Sequence, residues 1–171
     1  PPYTFEAFHP VVSDVIPTVL LGRPTRDKAE RGNFPARPAK VVIHDFGTVN
    51  VHTYGSVIND FTNDNGREVS SHFVIGWSGD RSHITQMVAL TDRAYHAGPN
   101  GNDFVGIEVD PLVNTNTEAG ARIRIDVASL LSALREYYGY DMIRIEHSQV
   151  PGAATSCGDD IELSWWEPVI E

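Results

Sequence analysis

The sequence predicts a single α/β domain, a central mixed β-sheet flanked by helices with its reactive groups at strand ends. Three observations predict it. Short apolar, β-branched runs recur at Val41–His44, Phe104–Val109 and Met142–His147. Between them lie stretches 53–63 and 117–138, whose apolar residues return at helical spacing, and strands alternating with helices build a sheet with helices packed on it. His44 and His147 close two of the strand-like runs, where folds of this class place their sites.

Taken in order, residues 1–39 are proline-rich and without sustained periodicity, and read as an irregular N-terminal arm with 14–21 as an edge segment. Residues 40–171 are expected to form one domain. Val41–His44 is a short buried strand. Thr53 to Asn63 is a helix with Val57, Ile58 and Phe61 on one face, followed by an Asn65-Gly66 turn. Ser71–Trp77 and Ser82–Val88 form a strand pair joined at Ser78-Gly79-Asp80-Arg81. Asn100-Gly101-Asn102 is a loop that feeds the strand Phe104–Val109. The long helix runs from Thr117 to Tyr138 on Val127, Leu130, Leu131 and Leu134, and Gly139 stops it. After the strand Met142–His147, a terminal helix is expected over 158–171, with Asp159 and Asp160 at its start and Trp165 and Trp166 available for packing; these two and Trp77 are expected in the core rather than as sugar platforms. No repeat, low-complexity tract or linker divides the chain.

A hydrophobic share of 41% and a charged share of 21% are those of a globular protein. No apolar run approaches the roughly 20 residues that span a bilayer, so no membrane partner is expected. A net charge of -10, with scattered basic residues, argues against nucleic acid. The single cysteine excludes an internal disulfide. The chain opens on Pro1 with no basic-then-apolar leader, and reads as a processed chain or an excerpt. With no coiled coil or symmetric patch, a monomer is expected.

The chemistry concentrates in three residues. His44 ends one strand, His147 ends another, and Cys157 follows ten residues later in Ala154-Thr155-Ser156-Cys157-Gly158. Two imidazoles and a thiolate are good zinc donors, and a catalytic zinc site uses three protein ligands plus an open position for water. A zinc hydrolase is the first expectation.

Five segments follow one another: Val-Ile-His44; Ser70-Ser71-His72-Phe73-Val74-Ile75; Leu90-Thr91-Asp92-Arg93-Ala94-Tyr95-His96-Ala97-Gly98; Val105-Gly106-Ile107-Glu108; and His147 with Thr155-Ser156-Cys157. In this order they resemble the zinc N-acetylmuramoyl-L-alanine amidases (amidase type 2) of the phage-lysozyme and peptidoglycan-recognition-protein superfamily, from about residue 40 to about residue 160. The resemblance implies zinc held by His44, His147 and Cys157, and hydrolysis of the amide between N-acetylmuramic acid and L-alanine in peptidoglycan. Glu108 stands where the anhydro-muropeptide amidases carry a functional glutamate, and is the expected general base. Thr155 stands where some relatives place a lysine that stabilises the oxyanion, and its hydroxyl is the expected donor. His96 lies in a segment similar to the family's Trp-His-Ala-Gly groove wall, and is expected to bind substrate. Asn102 and Asp103 precede the Glu108 strand, where they contact the stem peptide or make the turn. His72 is expected to orient neighbours inside the sheet, and His9, His52 and His83 to be surface or packing residues. Asp45 either supports the ligand beside it or is an exposed turn carboxylate.

The chain departs from the family pattern in places. Ser71 replaces a tyrosine found in phage-type relatives, and Gly158 stands where a proline commonly follows the third ligand. Cys157 replaces the aspartate ligand of the anhydro-muropeptide branch. Two other readings compete: a peptidoglycan-binding recognition module without catalysis, and a cysteine peptidase with Cys157 as nucleophile and His147 or His44 as base. The expected place of action is the bacterial wall, outside the cytoplasmic membrane, after secretion or release by phage lysis. The expected setting is the lytic module of an endolysin or a secreted wall hydrolase.

Overall fold

The computed structural model describes residues 5–18, 34–63, 69–159 and 161. Its elements are β1 (Asp14–Val15), β2 (Lys40–Asp45), α1 (Tyr54–Thr62), β3 (Phe73–Ser78), β4 (Arg81–Gln86), β5 (Val105–Val109), α2 (Glu118–Tyr138) and β6 (Ile143–Glu146). The strands form one six-stranded mixed sheet in the order β1-β4-β3-β5-β2-β6. β3 and β4 are an antiparallel hairpin, and β2 runs parallel to both β5 and β6. Among the described residues no helix is long and apolar enough to cross a membrane.

Each strand feeds both faces because alternate side chains point to opposite sides. Val41 and Ile43 join Phe73, Ile75, Val105, Ile107 and Val109 against α2, whose Ile123, Val127, Leu130 and Leu134 are fully buried. Each such side chain contributes about 1.5–3 kcal/mol by leaving water. The other face receives Val74 and Met87 beneath Tyr54 and Phe61 of α1, and Val42 with Ala97, Ile145 and Val150. Both helices begin where their caps dictate. The Thr53 side chain accepts from the Ser56 amide, and that of Thr117 from the Gly120 amide. Gly139 closes α2, its N–H donating to the Arg135 carbonyl.

Described residues of the segment before β2 take part in this packing. Asp14 and Val15 pair in parallel with Thr85 and Gln86, which extends the sheet beyond β4. Phe8 packs edge-on to Tyr137 at 5.6 Å between ring centroids and lies 5.3 Å from Phe73. The helix expected over 158–171, with Trp165 and Trp166, falls almost wholly outside the described residues.

Candidate metal centre

Pairing register assembles the site. His44 lies opposite Glu108 on the neighbouring strand β5, so both side chains leave the sheet on the face away from α2. β6 flanks β2 on its other side, and His147 opens a 3-10 turn directly after it. Cys157 begins a turn that packs back on β2. The donor atoms of His44, His147 and Cys157 all lie within 4.8 Å of one another. Cys157 Sγ is 3.5 Å from His44 Nδ1. Zinc–nitrogen bonds of about 2.0–2.1 Å and zinc–sulfur bonds of about 2.3 Å at a tetrahedral angle put N and S about 3.5 Å apart. The donor types and this spacing fit a zinc ion.

Electrostatics agree with the geometry. Burial, then the neighbouring His96 and His147 rings, hold His44 well below the usual histidine range, and burial lowers His147 as well. Both are neutral donors at pH 7. Burial and the nearby Glu108 push the Cys157 thiol up to about 12. A divalent cation at this point inverts that preference, because a coordinating thiol gives up its proton. Glu108 Oε1 lies 3.9 Å from His44 Nδ1 and its side chain is 16% exposed, so the carboxylate borders the centre and still reaches solvent.

Three further contacts hold the ligand loops together. Asp45 accepts from the Gly47 amide at 2.7 Å and from the Gly158 amide at 2.8 Å, which ties the His44 strand to the Cys157 turn. Gly158 has φ +87, and a Cβ there would lie 2.6 Å from the Ile43 carbonyl oxygen. Proline fits neither requirement, since its φ is fixed near −65° and it has no N–H to give Asp45. Ser148 donates to Asp159, joining the His147 turn to the Cys157 turn. On the far side of His44, its Nε2 lies 2.9 Å from His96 Nδ1, and His96 Nε2–H donates to the Phe104 carbonyl at 2.9 Å.

Two hollows adjoin the centre, with Asp45 in the wall of each. One, of about 290 Å³, is lined by His52, Ser56, Asp60, Phe61 and Glu108. The other, of about 650 Å³, is lined by Gly47, Pro111, Asn114, Thr155 and Cys157.

The sequence profile of N-acetylmuramoyl-L-alanine amidases matches residues 34–159. The chain belongs to this family. It therefore hydrolyses the amide that joins N-acetylmuramic acid to L-alanine in peptidoglycan. No curated protein matches the sequence significantly. Among solved structures it is similar to a mutant endolysin from Bacillus subtilis, with 17% identity over 86% of this chain and 90% of that chain and a TM-score of 0.61. An AmpD derivative matches at 18% identity over 93% and 94% of the two chains, with a TM-score of 0.59. Staphylococcus aureus hydrolase AmiA, in complex with its ligand, matches at 15% over 89% and 80%, with a TM-score of 0.57. At these identities the likeness is one of fold.

The remaining expected residues of the amidase fall in distinct places. The exposed Thr155 accepts through Oγ1 from the Cys157 amide at 3.1 Å, so its hydroxyl hydrogen is left to donate elsewhere. His96 and Asn102 line a third hollow with Tyr95 and Gly98. Both ring nitrogens of His96 face protein partners, and Asn102 Oδ1 accepts from the His96 and Ala97 amides at 3.0 Å each. Arg93 and Asp103 pair on the surface at 2.7 Å, a contact of little energetic weight. Fully buried His72 accepts from the Gly106 amide and donates to the Asp92 carbonyl, which stitches β5 to the loop before it. Trp77 packs half-buried against the core. His83 stacks on Tyr54, and His9 lies 3.3 Å from Glu136. Nothing in the local sequence fixes the role of Asp45 or marks Asp159 as part of the site. Only the fold brings Asp45 to Gly158 and Asp159 to Ser148.

Proposed function

We propose that this amidase is zinc-dependent, with His44, His147 and Cys157 as ligands, Glu108 as general base and Thr155 as a hydrogen-bond donor to the developing oxyanion. The observation that carries the reading is the 3.5 Å separation of Cys157 Sγ from His44 Nδ1, with Glu108 beside them on the same face of the sheet. Zinc, when bound, supplies a Lewis acid that lowers the pKa of water and polarises the scissile carbonyl. Glu108 takes the proton of the attacking water and returns it to the amino group of the departing L-alanine. The Thr155 hydroxyl, whose oxygen is already held by the Cys157 amide, donates to the carbonyl oxygen as charge builds there. The hollows on either side of Asp45 accept the glycan and the stem peptide. His96 and Asn102 contribute to substrate binding by shaping the groove wall.

The cysteine-peptidase reading requires a thiol made acidic by its surroundings. Here burial and Glu108 act in the opposite direction. The recognition-module reading has no observation in its favour, since the three donors and Glu108 occur together. We assign residues 40–171 to the catalytic unit and 1–39 to an arm that borders it. The proposed setting is the bacterial wall, reached by secretion or by phage lysis as in an endolysin, and the proposed state is a monomer that engages neither nucleic acid nor membrane. At a charge of -10, attraction to anionic wall polymer does not hold the enzyme in place.

Mass spectrometry of purified peptidoglycan digests, with and without a zinc chelator, tests the reading. The expected products are free L-alanine amino termini and intact glycan strands, abolished by chelator and restored by zinc. Cleavage that persists in chelator would sink the metal assignment, and binding without cleavage would return the recognition module.

A further inference from the structure

We propose that His96 is a positioning residue, which fixes His44 as its Nε2–H tautomer and so presents the Nδ1 lone pair to the metal. The inference rests on the zinc reading above and follows a chain of donors and acceptors. The Phe104 carbonyl can only accept, so at 2.9 Å the Nε2 of His96 carries a proton. A neutral imidazole has one proton, which leaves His96 Nδ1 bare. Bare Nδ1 lies 2.9 Å from His44 Nε2, so that nitrogen is the donor. Nδ1 of His44 is then the free lone pair, and it is the atom 3.5 Å from Cys157 Sγ.

The relay has something to oppose. Glu108 Oε1 lies 3.9 Å from His44 Nδ1 and favours a proton there, which would block the ligand atom. The seat of His96 is also built for a ring. Asn102 holds its backbone amide, and a Cβ on Gly106 would lie 2.6 Å from His96 Cγ. This gives Gly106 a reason to be glycine, and Asn102 a role that acts through His96. Partners of this kind, which orient a ligating histidine, are worth about 10–100-fold in metal affinity.

Nitrogen-15 NMR of the metal-free full chain reads the tautomer directly. The expected result is His44 protonated at Nε2, and His44 protonated at Nδ1 would overturn the proposal even if no variant folds. In chelator competition, His96→Phe keeps a ring without an acceptor and is expected to lower zinc affinity about 10–100-fold. His96→Gln can accept from His44 and donate to Phe104, and is expected to recover most of that loss. Unchanged affinity in His96→Phe, or equal losses in both variants, would overturn the relay. Wild-type protein that takes up no zinc would overturn the metal reading itself, a result distinct from zinc-binding protein carrying the wrong His44 tautomer.

Discussion

Glu108 and His44 stand side by side because one backbone register pairs them, so the proposed base and the proposed ligand are positioned by the same strand contact. Replacing Glu108 with Gln keeps its size and removes its capacity to accept a proton. Turnover on purified peptidoglycan should fall about 10²–10⁴-fold while metal content is retained, and undiminished turnover would place the base elsewhere. Asp45 ties the His44 strand to the Cys157 turn. Asp45→Ala should weaken zinc binding about 10–100-fold in chelator competition, whereas Asp45→Asn retains one acceptor and should lose less. The convergence of His44, His147 and Cys157 was legible in the sequence because imidazoles and a lone thiol are scarce groups with narrow chemistry. The clamp was not legible, since Asp45 and Gly158 are 113 positions apart and an aspartate next to a ligand is equally at home in a surface turn.

At the scale of elements, periodicity was a dependable guide wherever caps and packing agreed with it. The long helix begins at Glu118 behind Thr117 and ends at Tyr138 before Gly139, within a residue of expectation. The strand pair closes into the expected hairpin, with Gly79 and Asp80 between Ser78 and Arg81. Asp14–Val15 was legible only as a candidate edge, because nothing local states that two residues will pair in parallel with β4. Leu130 sits fully buried where α2 meets the sheet. Leu130→Ala should cost about 2–5 kcal/mol in a urea unfolding midpoint, the range for a core cavity. Loss of the Thr117 cap by Thr117→Ala should cost about 1 kcal/mol in the same measurement. Equal effects of the two variants would mean that α2 is held by its cap rather than by its face.

For the molecule as a whole, stability should follow both metal and pH. A ligand that binds only the folded state stabilises it by about 2.7 kcal/mol at a hundredfold excess over Kd, which for a chain of this size raises Tm by roughly 5–10 °C. Thermal melts with and without zinc would show this, and identical curves would count against a site that closes only on folding. Burial raises Asp92 to about 6, so the folded state holds its proton more tightly than the unfolded chain. The resulting stabilisation is complete below about pH 4 and lost as pH rises through about 6. Asp92→Asn should flatten this part of the pH–stability curve, as measured by urea titration. The sheet order has a consequence in time. Val41 of β2 pairs with Val105 and with Arg144, segments made long after it. Parallel pairings between distant segments must close large loops before they are rewarded, and such topologies reach the native state in milliseconds to seconds rather than microseconds. Because β2 also carries His44, the proposed chelating triangle of His44, His147 and Cys157 is completed only in that slow step. The rate at which refolding protein captures zinc should therefore be set by the chain rather than by the ion.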